Sequence, residues 1–116
     1  MLKIYHNPRC RKSREAIEFL KNKKLDYQII YYLDNHLTSK ELKSIVEKIK
    51  LKPSDIIRKN EKDWKEIPNR NDLSENEILR ILVLNPKLIE RPIVINENSG
   101  VLARPLENLF QFLGRN

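Results

Sequence analysis

The chain has 116 residues, 40% hydrophobic and 34% charged, the size and composition of one domain with a modest core and a solvated surface. No run approaches the roughly 20 apolar residues that cross a bilayer, and Met1–His6 lacks a stretch long enough for a secretory leader, so the expected location is cytoplasmic. The net charge of +7 raises nucleic-acid binding, but fourteen of the 23 basic residues are lysines scattered along the chain, without interleaved aromatic residues, which argues against it. A single cysteine allows no internal disulfide, and with only two histidines it leaves no ligand set for a structural metal.

Residues 2–6 read as a short strand. Residues 11–22 read as a helix with Ala16, Ile17 and Leu20 on one face, closed by Asn22, Lys23 and Lys24. Residues 27–33 are uncharged and β-rich and read as a well-buried strand. This βαβ unit predicts parallel strands with a right-handed crossover. Thr38-Ser39-Lys40-Glu41 is a capping box, and Leu42, Ile45, Val46 and Ile49 behind it have amphipathic helical spacing. Pro53 opens a short helix containing Ile56 and Ile57. Residues 58–72 are polar, broken by Pro68, and read as a loop with some helical turns, Trp64 capping the core. Ser74-Glu75-Asn76-Glu77 is a second capping box, starting a helix through Leu84 that Asn85-Pro86 ends. Residues 93–95 and 101–103 form a hairpin around the turn 96–100. Pro105 starts a last helix with Leu106, Leu109, Phe110 and Leu113 inward. The order βαβ, helices, ββα predicts a thioredoxin-like α/β fold over residues 1–116: one domain, a four-stranded mixed sheet, and a helical insertion over about 38–90.

Within that order Cys10 falls in the turn between the first strand and the first helix. A helix N-terminus presents free amides and the positive end of the dipole. The first fourteen residues hold five basic side chains and no acidic one. Both effects favour a thiolate, the nucleophilic form. Arg91 and Arg104 each precede a proline, at the entrance to the third strand and the exit of the fourth, and Arg58 follows Ile57 at a helix end. Pro92 is a candidate cis proline that would turn Arg91 toward Cys10. Guanidinium groups suit tetrahedral oxyanions, so Cys10 with Arg58, Arg91 and Arg104 predicts an oxyanion site. His6, Ser13 and Arg14 stand beside the cysteine as supporting groups: His6 as a titratable neighbour, Ser13 through its hydroxyl or amide.

The sequence resembles the glutaredoxin-coupled arsenate reductase family along nearly its whole length. The resemblance rests on Ile4-Tyr5-His6-Asn7-Pro8 before Cys10, Ser13-Arg14 after it, Tyr32-Leu33, Ile57-Arg58-Lys59-Asn60, Asn85-Pro86 with Leu88-Ile89, Arg91-Pro92-Ile93-Val94 and Arg104-Pro105. It implies that Cys10 attacks arsenate, that Arg58, Arg91 and Arg104 bind the oxyanion, and that His6 tunes the cysteine. It also implies no bound cofactor, glutathione as co-substrate and glutaredoxin as protein partner. Arg11-Lys12 is bulkier and more basic than the small pair expected in dedicated arsenate reductases, and closer to an uncharacterised reductase-related branch. Regulators of the Spx type share the fold and bind RNA polymerase; they often carry Cys-x-x-Cys where this chain has Ser13. A regulator binding a protein partner is therefore the alternative to a thiol-dependent oxidoreductase.

Overall fold

The structure is a computed structural model that describes residues 1–114. Its main elements are β1 (Leu2–Tyr5), α1 (Arg11–Asn22), β2 (Tyr27–Ile30), α2 (Ser39–Ile49), α3 (Lys62–Lys65), α4 (Glu75–Leu84), β3 (Ile93–Ile95), β4 (Gly100–Leu102) and α5 (Glu107–Gly114). Single 3-10 turns lie at Pro53–Ile56, Arg70–Asp72 and Pro86–Leu88. The sheet runs β2-β1-β3-β4. β1 pairs parallel with β2 and antiparallel with β3, and β3 pairs antiparallel with β4. This is the expected mixed thioredoxin-like sheet. None of the described helices is long and apolar enough to cross a membrane.

Alternation along the central strands divides the core in two, because successive side chains leave opposite faces of a strand. Ile4 of β1 and Val94 of β3 pack with Ala16, Leu20, Ala103 and Leu109, under α1 and α5. Tyr5, Ile93 and Ile95 point the other way, into a larger cluster with Leu42, Ile45, Val46 and Ile49 of α2 and Ile78, Leu79 and Leu82 of α4. Both capping boxes form. Thr38 accepts from the Glu41 amide at 3.1 Å and Ser74 from the Glu77 amide at 3.1 Å, while each glutamate accepts in return from the amide of its cap residue.

A feature absent from the sequence reading closes the insertion. Ile57 and Ile89 form an isolated antiparallel bridge. The Arg58 amide donates to the Leu88 carbonyl at 2.7 Å and the Glu90 amide to the Ile56 carbonyl at 2.8 Å. Arg58 is thereby carried from the middle of the insertion to stand opposite Leu88, just ahead of the entrance to β3.

Three expectations need correcting. β2 stops at Ile30 and is an edge strand, only half-buried, because it has one neighbour and the chain then turns: the Asp34 and Asn35 amides both donate to the Tyr31 carbonyl. The run 27–33 is hydrophobic because Tyr32 turns into the core from that bend, not because a strand continues. Ile57 lies outside its 3-10 turn and serves the bridge. Phe110 is 43% exposed rather than inward, its ring stacked 4.4 Å from Phe19; Phe112 packs against the core instead.

Gly100 opens β4 where α2 crosses the sheet. A Cβ there would lie 2.6 Å from the Ile95 Cγ2 and 3.0 Å from both the Ile49 Cγ2 and the Val94 carbonyl oxygen. Neither methyl is a flexible chain end, so the backbone must shift. Gly100→Ala is expected to destabilise the protein by about 1–3 kcal/mol, the usual cost of overpacking, read as a lowered urea midpoint with unchanged slope; an unchanged midpoint would show that the hairpin yields freely.

Candidate active site

The loop between β1 and α1 is built almost entirely from its own hydrogen bonds. The Cys10 amide donates to the Asn7 carbonyl at 2.9 Å, and the Arg9 amide to the Asn7 Oδ1 at 3.0 Å. Arg14 reaches back from α1, its Nη1 donating to the Pro8 carbonyl at 3.1 Å. Ser13 is fully buried and its Oγ accepts from the Asn7 amide at 3.5 Å. The Ser13 hydroxyl and the Arg14 guanidinium thus hold the loop.

Cys10 is the N-cap residue of α1, with φ −93° and ψ 120°. It is only 8% exposed yet belongs to neither apolar cluster. Its surroundings are polar and cationic. Burial alone would push its pKa up. The Ser13 amide, the Arg91 guanidinium and the Lys12 amide outweigh that and hold it down at about 7. As a neutral thiol the side chain makes no cap hydrogen bond; the first-turn amides act on the thiolate.

Arg91 and Arg104 converge on the sulfur. Each precedes a cis proline, Pro92 and Pro105. Arg104 places Nη1 3.9 Å from the Cys10 Sγ and 3.3 Å from the Arg91 carbonyl, and its Nε lies 3.8 Å from the Glu90 carboxylate. Arg91 is 8% exposed, and its Nε and Nη1 are buried with no hydrogen-bond partner. Arg58 does not join them at the sulfur. Its Nη1 pairs with Glu61 at 2.9 Å and lies 3.4 Å from the Lys87 carbonyl. It lines an open cleft of about 490 Å³ next to the cysteine loop, with His6, Pro8, Arg9, Tyr31 and Lys87 among the walls.

His6 is buried at the end of β1, its ring edge-on to Tyr31 at 5.7 Å and its Nδ1 without a partner. Burial, followed by the charge of Arg14, lowers its pKa, so the imidazole is neutral at pH 7. It adds no positive charge to the site.

Sequence reading missed Tyr32, Glu61 and Glu90. Tyr32 is 1% exposed and its hydroxyl has no partner. Among the described residues the buried side-chain nitrogens and oxygens without partners are His6 Nδ1, Tyr32 OH, Arg91 Nε and Arg91 Nη1. All belong to residues at the end of the sheet that carries Cys10. Buried polar groups are normally paired, so a concentration of unpaired ones sets this end of the sheet apart as the candidate site. The carboxylates could have been found only through the Ile57–Ile89 bridge, which no local pattern announces. No group of three or more potential metal ligands occurs among the described residues.

Comparison with known proteins gives the family and the fold. Residues 5–112 match the ArsC family. An arsenate reductase of Haemophilus influenzae is 37% identical over 112 residues, covering 95% of this chain and 97% of that one. An uncharacterised Escherichia coli protein, YfgD, is 33% identical over 115 residues, covering 97% of each. The solved structure of an arsenate reductase from Vibrio cholerae superimposes with a TM-score of 0.88 at 35% identity, covering 95% of each chain. The chain therefore belongs to the ArsC family, with the thioredoxin-like fold of its structural neighbours.

Proposed function

We propose that the protein is a thiol-dependent arsenate reductase in which Cys10 is the nucleophile. One observation carries the reading: a cysteine whose pKa is held near 7 lies under two arginines, one of which keeps two buried N–H groups unpaired. Arginine donors and a helix N-terminus together favour a tetrahedral oxyanion over the sulfur. Similarity to arsenate reductases names arsenate as that oxyanion.

In the proposed reaction the Cys10 thiolate forms a bond to arsenic, and one arsenate oxygen takes up two protons and leaves as water. Arsenic is not reduced in this step. Arg91 and Arg104 stabilise the charge on the remaining oxygens. Glutathione then supplies the second sulfur. An S–S bond forms between it and Cys10, two electrons pass to arsenic, and arsenite departs. A glutaredoxin thiolate attacks this mixed disulfide and restores Cys10. The chain holds one cysteine and cannot close an internal disulfide, so an external thiol is required. Arg58 reaches the oxyanion only by leaving Glu61, a closure that a bound anion would favour.

Purified protein with arsenate, glutathione and glutaredoxin is expected to turn over, and Cys10→Ser to be inactive. Without glutathione, intact mass should show one equivalent of modified Cys10 and no further reaction. Sustained turnover on thioredoxin alone contradicts the glutathione route. No adduct and no turnover with any reductant favours the regulator.

The cysteine pKa makes a separate prediction. A lowered value means that the thiolate dominates above about pH 7 and is lost as pH falls through it. Iodoacetamide alkylation should be half-maximal near pH 7, against about 8.5 for a free cysteine. Arg91→Gln removes a stabilising charge, so its midpoint should move upward and its rate at pH 7 fall several-fold. A wild-type midpoint at or above the free value would remove the case for an activated nucleophile.

A further inference from the structure

The proposed chemistry assigns no part to Tyr32, the largest side chain among the fully buried ones. Its ring packs in the insertion-side core at the bend after β2, and its hydroxyl is enclosed without a hydrogen-bond partner. A buried hydroxyl in that state is unfavourable, and a phenylalanine would fill the same space without the penalty. The charged groups that act on the hydroxyl are, in order, Arg91, Arg58, Cys10 and Glu90. The register puts Tyr32 and Arg91 at the same end of the sheet on either side of β1, since Ile30 and Ile93 both stand opposite Tyr5, although Tyr32 lies on a different element from any of the expected residues.

We propose that the Tyr32 hydroxyl is a substrate-binding group, a neutral donor that hydrogen-bonds an oxygen of the tetrahedral oxyanion beside Arg91. The proposal rests on the oxyanion-reductase reading of the site. The unpaired groups settle what kind of ligand fits. Arg91 Nε and Nη1 are donors only, the tyrosine hydroxyl can donate, and His6 Nδ1 is the fourth unpaired atom at this end of the sheet. Hydrogen-bond count alone does not separate a water from an anion here; charge does, because the neighbouring guanidinium groups leave the place cationic and a water brings no counter-charge. An oxyanion offers acceptors on every oxygen and can take all three bonds. A cation is excluded by Arg91, Arg58 and Arg104. Burial pushes the tyrosine pKa up to about 12, which keeps the proton on the oxygen and the group a donor at working pH.

The test is Tyr32→Phe, which removes the hydroxyl and keeps the ring. The melting temperature should stay level or rise, because an unpaired buried oxygen is lost. Arsenate affinity, measured by calorimetry in a Cys10→Ser background so that no adduct forms, should weaken about tenfold or more, the usual worth of a hydrogen bond to a charged group. In the Cys10 protein the KM for arsenate should rise while the KM for glutathione stays unchanged. Equal arsenate affinity with and without the hydroxyl overturns the assignment and leaves the reductase reading intact. A melting temperature lowered by more than a few degrees also overturns it, since the hydroxyl would then have a structural partner. A Cys10→Ser parent that takes up no arsenate overturns the reading of the site and the role of Tyr32 with it.

Discussion

The guanidinium of Arg91 is buried at the end of the sheet, and among the described residues no carboxylate pairs with it. A buried charge in that position is costly unless an anion meets it. The anion within reach in the protein itself is the Cys10 thiolate. The dependence is mutual: Arg91 lowers the cysteine pKa, and the thiolate gives Arg91 its counter-charge. The Ser13 and Lys12 amides share in holding the thiolate. Glu90 does not relieve this, because its carboxylate lies against Arg104. What remains unsatisfied among the described residues is two Arg91 N–H groups, the Tyr32 hydroxyl and His6 Nδ1.

The rest of the structure keeps this arrangement from relaxing. Arg91 precedes β3, which is paired on both sides and buried along its length, so its backbone has little freedom. Cys10 ends a loop whose amides and carbonyls are tied to Asn7, Ser13 and Arg14. The two anchors are neighbours because β1 and β3 pair directly, with Tyr5 opposite Ile93. Rigid strands thus supply the geometry, and the two apolar clusters on either face of the sheet supply the stability that offsets the unpaired polar groups.

Much of the fold was legible because it is written locally. The capping boxes at Thr38 and Ser74 set two helix starts, and the bounds of α1 follow from its apolar spacing. The strand pairing followed from connection rules, since βαβ and hairpin units leave few choices. The site was legible in part. Cys10, Arg91 and Arg104 stood out because a turn or a proline fixes each beside a strand end, and they meet in space. Arg58 was recognised as a residue but its pairing with Glu61 was not, because the pairing depends on the bridge between Ile57 and Ile89, thirty-two positions apart in the numbering. Tyr32 was read as part of a buried strand. Hydrophobic patterning cannot separate a tyrosine buried for its ring from one placed for its hydroxyl, and only the absence of a partner for the oxygen does so.

In the proposed reaction, electrostatic balance gives Arg58 a reason to be held in reserve. An arsenate dianion arriving at a thiolate brings more negative charge than Arg91 and Arg104 neutralise, and its approach would raise the cysteine pKa and weaken the nucleophile. A third cation restores the balance. Were it fixed permanently at the sulfur, the empty site would hold three guanidinium groups around one thiolate, with strong mutual repulsion. Pairing Arg58 with Glu61 in the wall of the cleft avoids that repulsion while keeping the side chain next to the cysteine loop. The ion pair is part exposed, and such pairs are weak, so an anion in the site competes for Arg58 at little cost. The same exposure keeps the cleft open beside the cysteine loop, where the proposed external thiol has to enter before arsenite can leave.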